Sequence, residues 1–360
     1  YLSGYLQAPL FHEEKAMSVL VPTLDRLGLD QLITNWEPLI LLAARLREKL
    51  GLPGMSHDVA LGFRDKQTMK ERLAAAGVRV PYSHRVRSAA DAWAAAEQVG
   101  YPLILKPIAG AGSADTFRCD TPAELEAALA QTRHVQEASV EEFVDGEEFT
   151  YDTVCIEGQI AFDSVAQYFP RPLVFRSEQW ISPAQLVFRD PHVRPDLQGG
   201  IAMGKRVLSV LGMTSGFTHM EWYRKRDGEV VFGEVACRNG GGYFVDMHNQ
   251  ANDIDLFVEW ARSVCWGHFA ATPHRRYHVG MVFKRAEGTG RIAGVSGLGA
   301  LRSFCGDDLI TEELLPIGHP RRDWKQTLIS DGFVTMRSPD EARVRAMMDV
   351  AIGQLRMFAK

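Results

Sequence analysis

Several protein classes are excluded by what this sequence lacks. Its five cysteines (Cys119, Cys155, Cys237, Cys265, Cys305) are scattered, odd in number and form no C-x-x-C pair. That argues against a disulfide framework or a thiolate zinc site, and a reducing cytoplasm is the expected compartment. No apolar run is long enough to span a bilayer and no signal-peptide pattern is present, so no membrane partner is expected. There is no block of like charge: 40 Lys and Arg against 45 Asp and Glu leave a net −5, without the basic face that nucleic acid requires. Repeats and low-complexity segments are absent. What remains is an ordinary soluble composition, 46% hydrophobic and 24% charged, over 360 residues, enough for two or three domains. The chain opens at Tyr1 in place of Met, which leaves room for residues upstream.

The pattern along the chain is mixed α/β. Residues 36–50, "WEPLILLAARLREKL", repeat apolar residues at helical spacing after a short apolar run at 31–34, and read as the tail of an α/β domain. A helix over about 65–76 ends at Gly77. Helix 88–99, strand 102–106, a glycine-rich loop, strand 115–119 and a helix opened by Thr121, Pro122 and Glu124 follow. Residues 148–166 read as a hairpin across "EGQ". Further helices are expected near 196–211, 251–266 and after Ser338, the last burying Val344, Met348, Ala351, Leu355 and Phe358.

The segment "FTHMEWYRKRDGEVVFGEVACR" carries Asp227-Gly228, a strong two-residue hairpin signal. If those two residues form the loop, Glu221 lies directly opposite Glu234, His219 opposite Ala236, and Arg238 one step beyond. Like charges facing each other across a sheet are destabilising unless a cation sits between them or one is protonated. On that argument alone, removing one of the charges should leave stability unchanged or raise it. The bland alternative is a wet face that screens both carboxylates. Met220, Trp222, Val231 and Val235 on the other face leave little room for one. Two carboxylates without a Cys or His cluster suit Mg²⁺ or Mn²⁺ in company with phosphate oxygens.

Three other segments bear on phosphate. "GGIAMGKR" at 199–206 has P-loop spacing but no following Ser/Thr and no preceding strand, so it reads as a helix start; "GTGRIAG" at 288–294 has the wrong spacing for a dinucleotide fingerprint. "YPLILKPIAGAGSADT", 101–116, delivers Lys106 to the end of an apolar strand ahead of a loop of small residues through Ser113. Loop amides can wrap phosphate oxygens while the lysine adds a point charge; a surface turn is the plainer alternative. "SVEEFVDGEEFTYD", 139–152, brings Glu141 and Glu148 together across a turn at Asp145-Gly146, as in a nucleoside pocket or a solvated acidic turn.

Taken in order, these motifs resemble the ATP-grasp carboxylate–amine ligases, most nearly the L-amino acid ligase type, from "RDKQTMKERLAAAGVRVP" through "GEVACRNGGG". The resemblance implies an ATP-grasp fold of mixed α/β (α+β) class. Its expected parts are an N-terminal α/β domain (1–65), a linker helix (66–80), a small lid (81–146), a central antiparallel-sheet domain (147–280) and a C-terminal extension (281–360). It implies ATP phosphates on Lys66, Lys106 and the loop with Ser113, and nucleoside contacts from Glu141, the backbone around Glu142 and Val144, and Glu148. It also implies Mg²⁺ (or Mn²⁺) on Glu221 and Glu234, and an acyl phosphate stabilised by Arg238. The family's metal motif usually has Asn where this chain has Ala236, so Asn239 or water would supply any third ligand. Arg171, Arg176, His219 and His248 are candidates to meet substrate, and the segment 168–195, rich in Arg, Pro and aromatics, is expected to line the acceptor pocket. Partners would be a small carboxylate and a small amine, in a chain that could pair as a homodimer. A bicarbonate-activating relative, or a nucleotide-binding protein without catalysis, remains the alternative.

Overall fold

The computed structural model describes residues 3–108, 115–327 and 329–360. The described residues before Ser83 form helices and no strand: α1 (Glu13–Leu27), α2 (Ile40–Leu50), α3 (His57–Arg64) and α4 (Lys66–Ala75). The apolar run at 31–34, read as part of an α/β unit, has no regular structure. Helix α4 starts where the sequence places it because Asp65 caps it, its carboxylate accepting from the amides of Gln67 and Thr68 at 3.1 and 2.8 Å. The cap fixes Lys66 in the first turn.

A small antiparallel sheet follows, built from β1 (Ser83–Val86), α5 (Ala89–Val99), β2 (Leu103–Pro107), β3 (Phe117–Cys119), α6 (Pro122–Gln131) and β4 (Ala138–Glu142), with strand order β1-β4-β2-β3. Ala92, Ala96, Leu125 and Ala128 from the two helices bury Leu103, Leu105 and Val140. The glycine-rich loop with Ser113 lies outside the described residues. At Asp145-Gly146 the expected tight hairpin does not form. Strand β4 ends in the small sheet and the chain crosses to β5 (Glu147–Ile156) of a larger one.

The larger sheet continues with β6 (Gln159–Phe169), α7 (Pro172–Ser177), β7 (Ala184–Val187), α8 (Gln198–Leu211), β8 (Gly216–Arg224), β9 (Val230–Ala236), α9 (Phe244–Asn252), α10 (Leu256–Trp266) and β10 (His278–Lys284). The C-terminal part adds β11 (Glu287–Gly288), β12 (Ile292–Ser296), α11 (Leu298–Cys305), β13 (Leu309–Leu314), β14 (Gly332–Ser338), α12 (Glu341–Gln354) and β15 (Arg356–Ala359). Eight strands run in the order β13-β14-β10-β7-β6-β5-β8-β9, every neighbouring pair antiparallel. One face of this sheet buries Phe149, Tyr151, Met220 and Trp222 with Ile201, Val207 and Leu208 of α8. Gly200 and Gly204 let α8 approach: a Cβ on either would sit 2.2 Å from the ring of Trp222 or Tyr151. The P-loop look-alike is thus a packing helix. The opposite face carries the polar residues.

Three expectations need correction. The strand running into Asp227-Gly228 ends at Arg224, and the loop is longer than two residues: Lys225 N donates to Glu229 O at 2.9 Å and Gly228 N to Lys225 O at 3.0 Å, with Gly228 at φ 89°. This is a three-residue loop whose αL glycine adds a bulge. It shifts the register by one, and a second irregularity at Gly233 shifts it back, so Glu221 still faces Glu234 and His219 faces Ala236. A Cβ on Gly233 would lie 2.7 Å from Glu221 O, so only glycine fits that bulge. The helix expected over 251–266 is two, broken at Asp253 (φ 52°) and restarted by Asp255 capping Val258 N at 3.0 Å. The last helix ends at Gln354, and Phe358 is 40% exposed on β15.

Candidate active site

A cavity of about 520 Å³ lies between the small sheet, the polar face of the large sheet and the N-terminal helices. It is lined by Lys66, Lys106, Glu141, Glu148, Arg171, Arg176, His219, Glu221, Glu234 and Arg238, gathering most of the residues singled out in the sequence. Three distant segments converge here. The cap of α4 aims Lys66, the end of β2 aims Lys106, and the β8/β9 register aims both glutamates.

Charges in the cavity are arranged in alternation. Lys66 Nζ stands 3.3 Å from Glu234 Oε2. Burial would raise Glu234, yet Lys66, Lys106 and Arg238 outweigh it and hold the carboxyl at about 2. Lys106 contacts Glu141, which also meets Lys70, a buried lysine that burial and Lys106 push well below the usual range. Glu148 shows the opposite shift: burial and the nearby Glu221 raise it to about 8, against Arg171. Tyr168 donates to Glu221 Oε1 at 3.2 Å, and His219 Nε2 lies 3.6 Å from the same oxygen. The other ring nitrogen of His219 is 2.6 Å from the buried Asp152; burial disfavours the imidazolium, but Asp152 prevails and raises the group to about 9.

Several residues behave differently from their sequence assignments. Arg238 lines the cavity, but its Nε donates to Glu37 at 2.7 Å and one NH to Asn239 O at 2.7 Å; Arg64 reaches the other oxygen of Glu37 at 3.3 Å. Asn239 lines the cavity with its Oδ1 accepting from Asn35 at 2.6 Å and its Nδ2 donating to Gly240 O at 2.9 Å, so a role as third metal ligand would compete with the Asn35 contact. His248 does not line the cavity; it is buried beyond Asp152, 3.3 Å from Oδ2, against Phe162 and Phe244. Arg171 spends donors on Glu148 Oε2 (3.2 Å) and Val144 O (2.8 Å). Glu142 is tied to Arg79 at 2.7 Å, and neither it nor Val144 lines the cavity. Sequence reasoning missed Glu37, Lys70 and Asp152, while Tyr168 and Gln185 fall in the segment 168–195 expected to line the acceptor pocket and do line the cavity. Lys70 alone had a signal, four residues after Lys66 on the same face of α4.

Glu221 and Glu234 fit a hard divalent cation. They are directly opposed oxygen donors open to the cavity, with Glu234 held ionised. No cluster of three or more His, Cys, Asp or Glu converges among the described residues, so further ligands would have to come from substrate oxygens or water.

Residues 99–246 match the ATP-grasp domain family, in a chain whose fold is mixed α/β with antiparallel sheets. It is 29% identical over 235 residues to the L-arginine-specific L-amino acid ligase of Bacillus subtilis, covering 63% of this chain and 56% of that one. With the alanine–anticapsin ligase of Bacillus subtilis strain 168 it shares 27% over 288 residues, 72% and 59% of the two chains. The chain thus spans little more than half the length of these curated relatives. Its fold superposes on the L-amino acid ligase from Bacillus licheniformis with a TM-score of 0.79 at 21% identity, over 99% of this chain and 87% of that one. Among the described residues, no helix is long and apolar enough to cross a membrane.

Proposed function

We propose that the chain is an ATP-dependent carboxylate–amine ligase. A small acid, an amino acid or a close relative, attacks the γ-phosphate of ATP to give ADP and an acyl phosphate, and an amine then displaces phosphate to form an amide. The observation that supports this best is the opposed pair Glu221–Glu234, flanked by Lys66, Lys106 and Arg238 in one cavity of an ATP-grasp domain. The names of the curated relatives point the same way.

In this reading, Lys66 and Lys106 neutralise phosphate oxygens on ATP entry. Lys106, which contacts Glu141 here, would exchange that carboxylate for nucleotide. Glu221 and Glu234 would hold Mg²⁺, which supplies charge neutralisation for the transferring phosphoryl group. Arg238, oriented by Glu37, offers its remaining N–H groups to the carboxylate and the developing phosphate together. Catalysis is then positioning and electrostatics, because the phosphoryl group in flight carries spread negative charge. Closure of the small sheet over ATP would exclude water, which otherwise hydrolyses the acyl phosphate.

The test is ADP release screened over pairs of the twenty protein amino acids with ATP and Mg²⁺, with bicarbonate as a separate arm. Turnover that requires two amino acids supports the reading. Turnover driven by bicarbonate alone, or nucleotide binding with no ADP from any pair, overturns it.

A further inference from the structure

Most charged groups of the cavity pair with one another, and two polar residues that line it, Gln185 and Arg176, do not. Gln185 on β7 is 7% exposed, and its Oε1 is buried with no hydrogen-bond partner among the described residues. Its Nε2 faces the glycine loop after Arg238, 3.4 Å from where a Cβ on Gly242 would stand. Arg176, near the end of α7, is half-buried in the cavity wall, and no carboxylate or carbonyl pairs with it among the described residues. Burial lowers its affinity for the proton, with no counter-ion to offset this. The chain just after it is pinned by Arg285, which donates to Glu178 O at 2.8 Å and Gln179 O at 3.2 Å. Arg176 is therefore a presented guanidinium without an anion, in the same cavity as an acceptor without a donor. Leaving both unmatched costs free energy that a ligand can recover.

Position on the sheet says which part of a ligand belongs there. Strand β7 lies three strands from β8, in the order β7-β6-β5-β8. At about 4.8 Å per strand, Gln185 stands roughly 14 Å across the sheet from Glu221. Groups there meet an end of the substrate remote from the carboxylate activated beside Glu221, Glu234 and Arg238.

We infer that Arg176 and Gln185 form a subsite for an α-amino-acid head group that is not the activated carboxyl, with Arg176 taking the carboxylate and Gln185 Oε1 accepting from the ammonium. Two sources have this chemistry: the head group of an acidic amino acid activated through its side chain, and the head group of the amine substrate. That another carboxyl is activated rests on the ligase reading; the affinity of this subsite does not.

The experiment measures binding without turnover. Calorimetry in AMP-PNP and Mg²⁺ compares the twenty L-amino acids, their α-carboxamides and their deaminated acids, on wild type, R176Q, R176K and Q185M. At least one amino acid should bind, its carboxamide about tenfold to a hundredfold more weakly, as for loss of a hydrogen bond to a charged group. R176Q should weaken the amino acid by a similar factor and erase its advantage over the carboxamide, and R176K should restore part of it. Q185M should erase the advantage over the deaminated acid while keeping thermal stability, because the oxygen it removes is unpaired. AMP-PNP affinity, unchanged throughout, reports an intact fold. Binding confined to glutamate or aspartate assigns the head group to the activated acid; binding by other amino acids assigns it to the amine. Equal binding of acid and carboxamide, discrimination that survives R176Q, or no binding by any member of the panel overturns the proposal. Failure of ADP release with binding intact would remove the ligase reading and leave this subsite standing.

Discussion

Replacing Glu234 by Gln separates two accounts of the paired carboxylates. Opposition to Glu221 alone predicts a ligand-free protein as stable as wild type or more so. The surroundings reverse that sign: Lys66 stands 3.3 Å away, and Lys106 and Arg238 also favour the charged form, so Glu234 is held at about 2 against an ordinary 4.5. At about 1.4 kcal/mol per pH unit, that depression corresponds to about 3–4 kcal/mol at most. The side chain is 30% exposed to the cavity, so water screens part of this, and about 1–2 kcal/mol is expected. The sign follows from linkage: a depressed carboxyl contributes stability above its unfolded value and loses it as the pH falls through the folded one. Glu234→Gln should therefore lower Tm by a few degrees at pH 7, and the gap to wild type should narrow as the pH falls from 4.5 toward 2. Differential scanning fluorimetry across pH without nucleotide measures both. A variant as stable as wild type at pH 7, or a gap that widens in acid, would refute the reasoning.

Other predictions follow from the same geometry. Glu148→Gln should stabilise by on the order of 1–3 kcal/mol at pH 8 and little below pH 4.5, because a carboxyl raised to about 8 loses stability as the pH rises between those values; denaturant titrations at both pH values check it. Arg238→Lys should keep ATP affinity but raise the ligation barrier by about 2–4 kcal/mol, since a compact ammonium lacks the planar fork of donors that can span Glu37, a carboxylate and a phosphate; hydroxylamine trapping of the acyl intermediate should fall accordingly. Gly200→Ala should cost about 1–3 kcal/mol through overpacking on Trp222, and a Tm equal to wild type would show that α8 can shift to make room.

The sequence carried the local devices of this fold well. The helix expected from about residue 65, the hairpin turn at Glu157-Gly158 and the facing glutamates each follow from short-range rules, and each forms. The facing glutamates were right for an incomplete reason. The count assumed a two-residue loop, and the true loop is compensated by the bulge at Gly233, two local errors that cancel. Residues joined over long separations were not legible. Glu37 meets Arg238 across 201 positions, and no periodicity announces such a pair. Gln185 lies in the segment 168–195 expected at the acceptor pocket, but nothing in the sequence singles it out from its neighbours until the strand order brings it to the cavity. The commitments of Asn239 to Asn35 and of His248 to Asp152 were hidden for the same reason: side-chain availability depends on tertiary neighbours.

The central claim is that a carboxylate is activated by phosphoryl transfer in this cavity, and the fate of the carboxylate oxygen tests it most directly. The protein is supplied with ATP, Mg²⁺ and a pool of the twenty amino acids carrying heavy oxygen in their carboxylates, and the products are read by mass spectrometry. The account predicts ADP, an amide, and inorganic phosphate bearing one heavy oxygen. Heavy oxygen in AMP with release of pyrophosphate, or ADP whose phosphate carries none, would contradict it.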